Sequence, residues 1–132
     1  MTSRNLLRRR AWIAAALTII ALGLVVHRYG LGLSSEAHDV AGDALWAMMI
    51  FAWLGALRPM ASLTVRGGAA LAICWAVEIS QLYHTPSLDA LRQTTIGQLV
   101  LGTDFDARDL AAYALGVLAA TALEALARRR QD

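Results

Sequence analysis

Glu78 and Gln81 stand three residues apart in an otherwise apolar stretch, Ile73–Tyr83 (ICWAVEISQLY), and share one face of any helix built there. If that stretch crosses a membrane, Glu78 lies roughly 7 Å below its end by helical rise. An acid at that depth costs on the order of 2.5–3.5 kcal/mol and must face a partner or a cavity. Two roles fit: a functional carboxyl, or a polar staple that joins helices through hydrogen bonds. Asp39 and Asp43 stand four residues apart at the start of another apolar block, and Asp109 and Tyr113 open the last one in the same way. Acids at such places serve equally as helix caps, as complements to the helix dipole, or as ligand-binding groups. Arg92 follows in a loop beside these acids, and its fork of donors predicts an ion pair with Glu78 or Asp109. A guanidinium among carboxylates could also receive a phosphate or carboxylate in bidentate fashion.

Other chemistries lack their residues. His38 and His84 have acids nearby, but no metal-ligand spacing such as H-E-x-x-H is present, and no metal is expected. No G-x-S-x-G elbow, phosphate-binding loop or dinucleotide fingerprint occurs, so no cofactor is expected. Ser80, Thr94 and Thr95 are hydroxyls without a recognisable base. Cys74 is the single cysteine and sits in an apolar run, where it reads as a packing residue.

The elements that must position these residues are membrane spans. Of the 132 residues 58% are hydrophobic, and they fall in four blocks with few charges. The blocks predict helices at about 11–28, 40–57, 67–83 and 109–127 in a single domain over 1–132. Each apolar core spans roughly 24–27 Å, enough for a thin bilayer with little tilt. The first block follows an arginine triplet, as a signal peptide does, but no small-x-small cleavage site follows it, so an uncleaved helix is expected.

All 12 basic residues are arginine, and the net charge of +2 is too small to argue for nucleic acid. With the N-terminus inside, Arg4, Arg8, Arg9, Arg10, Arg58, Arg66, Arg128, Arg129 and Arg130 are cytoplasmic, and only Arg28, Arg92 and Arg108 lie outside. That asymmetry predicts cytoplasmic N- and C-termini. The second outer loop contains Ile96–Gly102 (IGQLVLG), too short to span and suited to a re-entrant or interfacial segment.

A set of ordered motifs carries a family resemblance. Gly42-Asp43-x-Leu45-Trp46, Glu78-Ile79-Ser80-Gln81-Leu82-Tyr83, Leu88-Asp89-x-x-Arg92-x-Thr94, Gly97-x-Leu99-Val100-Leu101-Gly102 and Asp109-Leu110-x-x-Tyr113-x-x-Gly116 together resemble the bacterial domain-of-unknown-function 2809 family over about residues 30–120. More distantly the chain is similar to VanZ-like proteins. Those carry an acid-x-x-Gln pair late in one helix, then an Arg, then Asp-x-x-x-Asn-x-x-Gly opening the last helix. Glu78, Gln81, Arg92, Asp109 and Gly116 fall on that pattern. Tyr113 stands where the Asn would be, and Asp43 near a characteristic His of the first motif. That likeness implies a link to the outer face of the envelope, since VanZ-like proteins are associated with resistance to teicoplanin-type glycopeptides.

The sequence therefore reads as an all-α integral membrane four-helix bundle of the bacterial inner membrane, its partner the lipid bilayer. The expected function is recognition of an amphiphilic, envelope-associated ligand at the outer leaflet through Asp43, Glu78, Gln81, Arg92 and Asp109. Three alternatives stay open: an intramembrane enzyme with Glu78 as general base, a small multidrug-type transporter, and a structural helper.

Overall fold

The computed structural model describes residues 3–130. Its helices are α1 (Ser3–Tyr29), α2 (Ser35–Leu57), α3 (Leu63–Ser80), α4 (Pro86–Arg92), α5 (Thr95–Leu101) and α6 (Ala107–Arg129), with no strand among the described residues. Helices α1, α2, α3 and α6 are each long and apolar enough to cross a membrane. The fold is thus an all-α membrane helical bundle.

The helices do not stop where the apolar blocks do. Hydrophobic runs mark where lipid must be met, whereas caps mark where a helix starts. Ser34 caps α2 by accepting from the Ala37 N–H (3.2 Å), so that helix begins at Ser35 instead of 40. Ser62 caps α3 through the Val65 N–H (3.3 Å), which starts it at Leu63 instead of 67. Helix α3 also ends early, at Ser80, and Gln81 and Leu82 form a turn. The expected loop at 84–108 is largely helical. Thr85 and Thr94 cap two short helices, α4 and α5, and Pro86 opens α4 where a missing N–H costs nothing.

Helices α2, α3 and α6 pack against one another, and α1 packs mainly along α2. Small residues line the shared faces: Ala47, Ala52 and Gly55 on α2, Gly67, Ala70 and Cys74 on α3, Ala112, Gly116 and Ala120 on α6. In lipid no hydrophobic force pulls apolar helices together, so close backbone approach and dispersion must do it. At Gly116 the approach is so close that a Cβ would collide with the Ala44 carbonyl oxygen. The large aliphatic residues point the other way. Leu17, Leu22, Leu115, Leu118 and Leu123 are exposed, as lipid-facing residues should be.

The bundle has two unlike ends. One carries the α1–α2 connection together with α4 and α5, and is called here the loop end. The other carries the 58–62 turn and both ends of the described chain, and is called the terminal end. Helix α5 lies at the loop end as a single short helix with Ile96, Leu99 and Val100 exposed. Gly97 lets it dock on α4, since a Cβ there would run into the Leu91 carbonyl. The apolar stretch too short to span is therefore a surface helix with a bare hydrophobic face.

Candidate functional site

At the loop end the early turns of α2 and α6 meet the last turn of α3. Glu78 is fully buried and both of its carboxylate oxygens accept hydrogen bonds. The Asp106 backbone N–H donates to its Oε1 (2.8 Å), while Gln81 Nε2 (3.2 Å) and the Tyr113 hydroxyl (3.1 Å) donate to Oε2. Those donors come from the start of α6, the end of α3 and the first turns of α6, so one carboxylate ties the α3–α6 junction together. The cost of burying it is met by three charge-assisted hydrogen bonds. With these commitments Glu78 acts as a brace.

Gln81 is 4% exposed and points its amide nitrogen at Glu78, which leaves its Oε1 without any donor. The carboxylate fixes that orientation, because the flipped amide would set oxygen against oxygen. Gly102, with φ +67°, lets the chain turn past this amide; a Cβ there would strike it. The path from Gly102 then delivers the Asp106 N–H to Glu78. Asp106 itself caps α6 through the Arg108 N–H (2.9 Å) and pairs with the Arg108 side chain (2.7 Å). Hydrogen bonds from Arg108 hold the Asp106 carboxyl below its usual range.

Asp43 on α2 and Asp109 on α6 stand on the same cavity walls as Gln81 and Tyr113 of this brace. The cavity has a volume of about 600 Å³ and is bounded by α1, α2, α5, α6 and the 102–104 turn. Gln81 and Tyr113 form its deep polar side, and Ile20, Leu24, Trp46, Met49 and Leu99 its apolar walls. Its ionisable lining is three acids, Asp43, Asp104 and Asp109, with His27 and Tyr113 and no arginine.

Arg92 departs from expectation. It is 4% exposed, but it does not pair with Glu78 or Asp109. Its Nη1 donates to the Tyr83 carbonyl (2.8 Å) and to Asp89 (3.2 Å), and its Nη2 donates to the Ser80 carbonyl (2.8 Å). The orphan carbonyls at the end of α3 and an acid one helical turn back are nearer partners than acids on other elements. Arg92 thus fastens α4 to the end of α3 and lies outside the cavity lining. His84 joins the same corner through Asp89 (3.0 Å), and His38 sits on the Val26 carbonyl (3.0 Å).

Two partners escaped the sequence reading. Tyr113 is noticeable only as the i,i+4 neighbour of Asp109, yet it is a direct partner of Glu78. At the terminal end Arg66, read as a cytoplasmic loop arginine, is 1% exposed and lies over the Trp12 and Phe51 rings (4.6 and 5.3 Å). It faces Glu124 at 3.5 Å and donates to the Pro59 and Ala61 carbonyls (both 3.4 Å). Glu124, embedded in the final Leu-Ala-Arg run, carries no sequence signal beyond being an acid among arginines.

The acid-rimmed apolar cavity is the feature that could hold a ligand, while Glu78, Gly102 and Arg92 shape it. No solved structure matches the chain. The family model described as protein of unknown function, DUF2809, matches residues 33–117, which span α2 to the middle of α6 and include Asp43, Glu78, Gln81, Arg92, Asp109 and Tyr113, and the chain belongs to that family.

Proposed function

We propose that this protein holds an amphiphilic, envelope-associated molecule in its loop-end cavity, with that end at the outer leaflet of the bacterial inner membrane and both termini cytoplasmic. One observation carries the reading. A cavity of about 600 Å³ joins apolar walls from α1 and α2 to an acidic, hydrogen-bonding end. That volume lies within the ordinary range for small-molecule sites, roughly 300–1,000 Å³. Apolar walls favour a chain, and the polar end favours a headgroup. The VanZ-like pattern supports the same end of the molecule: Glu78 and Gln81 brace it, Asp109 lines it, and Gly116 lets α6 approach α2. The orientation rests on the arginine asymmetry, nine residues toward one side and three toward the other.

Catalysis by Glu78 is the weaker reading, because a general base must reach its substrate, whereas Glu78 is fully buried, is not among the residues lining the cavity and is held by three donors.

Gly23 lines the cavity and has open space where a Cβ would go, so Gly23→Phe should fill the cavity without disturbing the helices. Native mass spectrometry of the protein released from membranes in mild detergent should then find co-purified amphiphile on the parent chain and much less on the variant. Equal adducts on both would sink the proposal. Orientation is read separately with an impermeant thiol reagent. Cysteines at Ser35 and Ser87 should react from outside, one at Ser62 should not, and buried Cys74 should stay silent. The opposite pattern would reverse the assignment.

A further inference from the structure

We infer that the cavity opens sideways into the bilayer, and that its occupant is one acyl chain of a two-chain membrane lipid from the leaflet at the loop end. The inference rests on the amphiphile-binding reading above and adds the kind of amphiphile and its route. Two independent features point to it. Helices α1, α2, α5 and α6 all bound the cavity, yet α1 packs along α2 and, among the described residues, packs on neither α5 nor α6. The cavity is therefore a groove with α2 as its floor and a seam between α1 and the α5 and α6 walls. Separately, the lining does not end at that seam. Leu24, Leu99 and Val100 line the cavity and are each about half exposed, so its apolar wall runs on into the lipid-facing surface.

Space that adjoins hydrocarbon is filled by hydrocarbon. An empty groove would forfeit dispersion contacts on each wall, and an apolar wall such as Ile20, Leu45 and Met49 offers water no partners. Gly23 on α1 and Gly42 on α2 both line the groove with open space where a Cβ would go, so the chain's own side chains leave that space unfilled. The depth suits a molecule that stays in its own leaflet. On α1 the lining runs from Ile19 to His27, about 12 Å of helix, against about 15 Å for half of the hydrocarbon layer. A two-chain lipid matches this shape: one chain lies along α2, the other remains among its neighbours, and the headgroup rests at the loop end. A closed pocket would instead demand a single-chain molecule withdrawn wholly from the bilayer.

The test uses the full protein in phosphatidylcholine vesicles containing a trace of phosphatidylcholine with a diazirine midway along one acyl chain. After irradiation, adducts are mapped by peptide mass spectrometry. Trp46 and Met49 on the groove floor should be labelled, as should the outward-facing Leu115 and Leu118. Gly23→Phe should lower floor labelling about tenfold or more, since readmitting a chain would overpack the groove, and should leave Leu118 unchanged. Gly42→Phe fills the groove from the α2 side and takes the place of that variant if Gly23→Phe does not fold. A lysophosphatidylcholine carrying the same diazirine chain, at the same mole fraction, is the single-chain comparison. Floor labelling by the two-chain lipid, lost in the filled variant, supports the inference. Floor labelling by the lysolipid alone would overturn it while keeping the amphiphile site. Undiminished floor labelling in the filled variant would mean that the probe arrives by another path, and would overturn it too. Labelling of Leu118 but not of the floor by either probe would overturn it as well, and the co-purified amphiphile then shows whether the site itself survives.

Discussion

Removing the Tyr113 hydroxyl should cost about 1.5 kcal/mol of bundle stability. Tyr113→Phe keeps the ring, which is 6% exposed, and deletes only the donor 3.1 Å from Glu78 Oε2. Hydrogen bonds to charged groups are worth about 1.5–3 kcal/mol in water-soluble proteins. Interhelical hydrogen bonds in membranes average about 0.6 and reach about 1.7 kcal/mol. A buried carboxylate belongs at the top of the membrane range. Because Asp106 and Gln81 still donate, the acid is weakened without being orphaned, which keeps the cost below the several kilocalories of an unpaired buried charge. Reversible unfolding in mixed detergent micelles measures the loss, and a double-mutant cycle with Glu78→Gln isolates the pair. A single-variant loss under about 0.5 kcal/mol, the scatter of ordinary surface changes, or a coupling energy of zero, would refute the three-donor brace.

Gly116→Ala should destabilise by about 1–3 kcal/mol as its methyl forces α6 away from the Ala44 carbonyl. Gly68→Ala, with open space at its Cβ, should be neutral or gain up to about 1 kcal/mol in the same unfolding assay. Glu124→Ala leaves Arg66 buried without its acid, and should therefore cost more than Glu124→Ala combined with Arg66→Met; the reverse order would show that the pair is not coupled. The depressed Asp106 carboxyl contributes stability that is complete above the ordinary carboxylate range and is lost as pH falls through its folded value. Asp106→Asn should therefore flatten the acid limb of a stability-against-pH curve, and an unchanged limb would disprove that contribution.

The four spans were legible because lipid imposes long apolar runs, and any helix that meets it must show one. Their ends were not. Ser34 and Ser62 are ordinary serines until the first free N–H groups need an acceptor, and α1 runs on through its arginines, whose charges need water but no loop. Glu78 and Gln81 could be paired from spacing alone, because i,i+3 neighbours touch on any helix. Their distant partners could not. The Asp106 N–H reaches Glu78 only because Gly102 turns the chain, and a backbone donor leaves no trace in residue type. Arg92 was placed wrongly for a related reason: charge complementarity selected the acids, whereas the carbonyls ending α3 were the nearer acceptors. Arg66 reads as a cytoplasmic arginine, since an arginine at the edge of an apolar block looks the same in sequence whether its head goes to water or folds inward onto Trp12.

Helix α3 is tied to α6 at two places, Arg66 to Glu124 at one end and Glu78 to Tyr113 at the other. Along α3 the tied residues are separated by about 18 Å of helix, and along α6 by about 16–17 Å. The two helices therefore act like a lock with matched wards. Sliding one past the other by a single turn, about 5.4 Å, would unseat a buried arginine and a buried glutamate at the same moment. Along the tied stretch the facing surfaces are small residues, Gly67, Ala70 and Cys74 against Ala112, Gly116 and Ala120. In an apolar solvent, where dispersion alone discriminates weakly between packings, register is thus set by two polar ties of opposite kind, one cation-centred and one anion-centred.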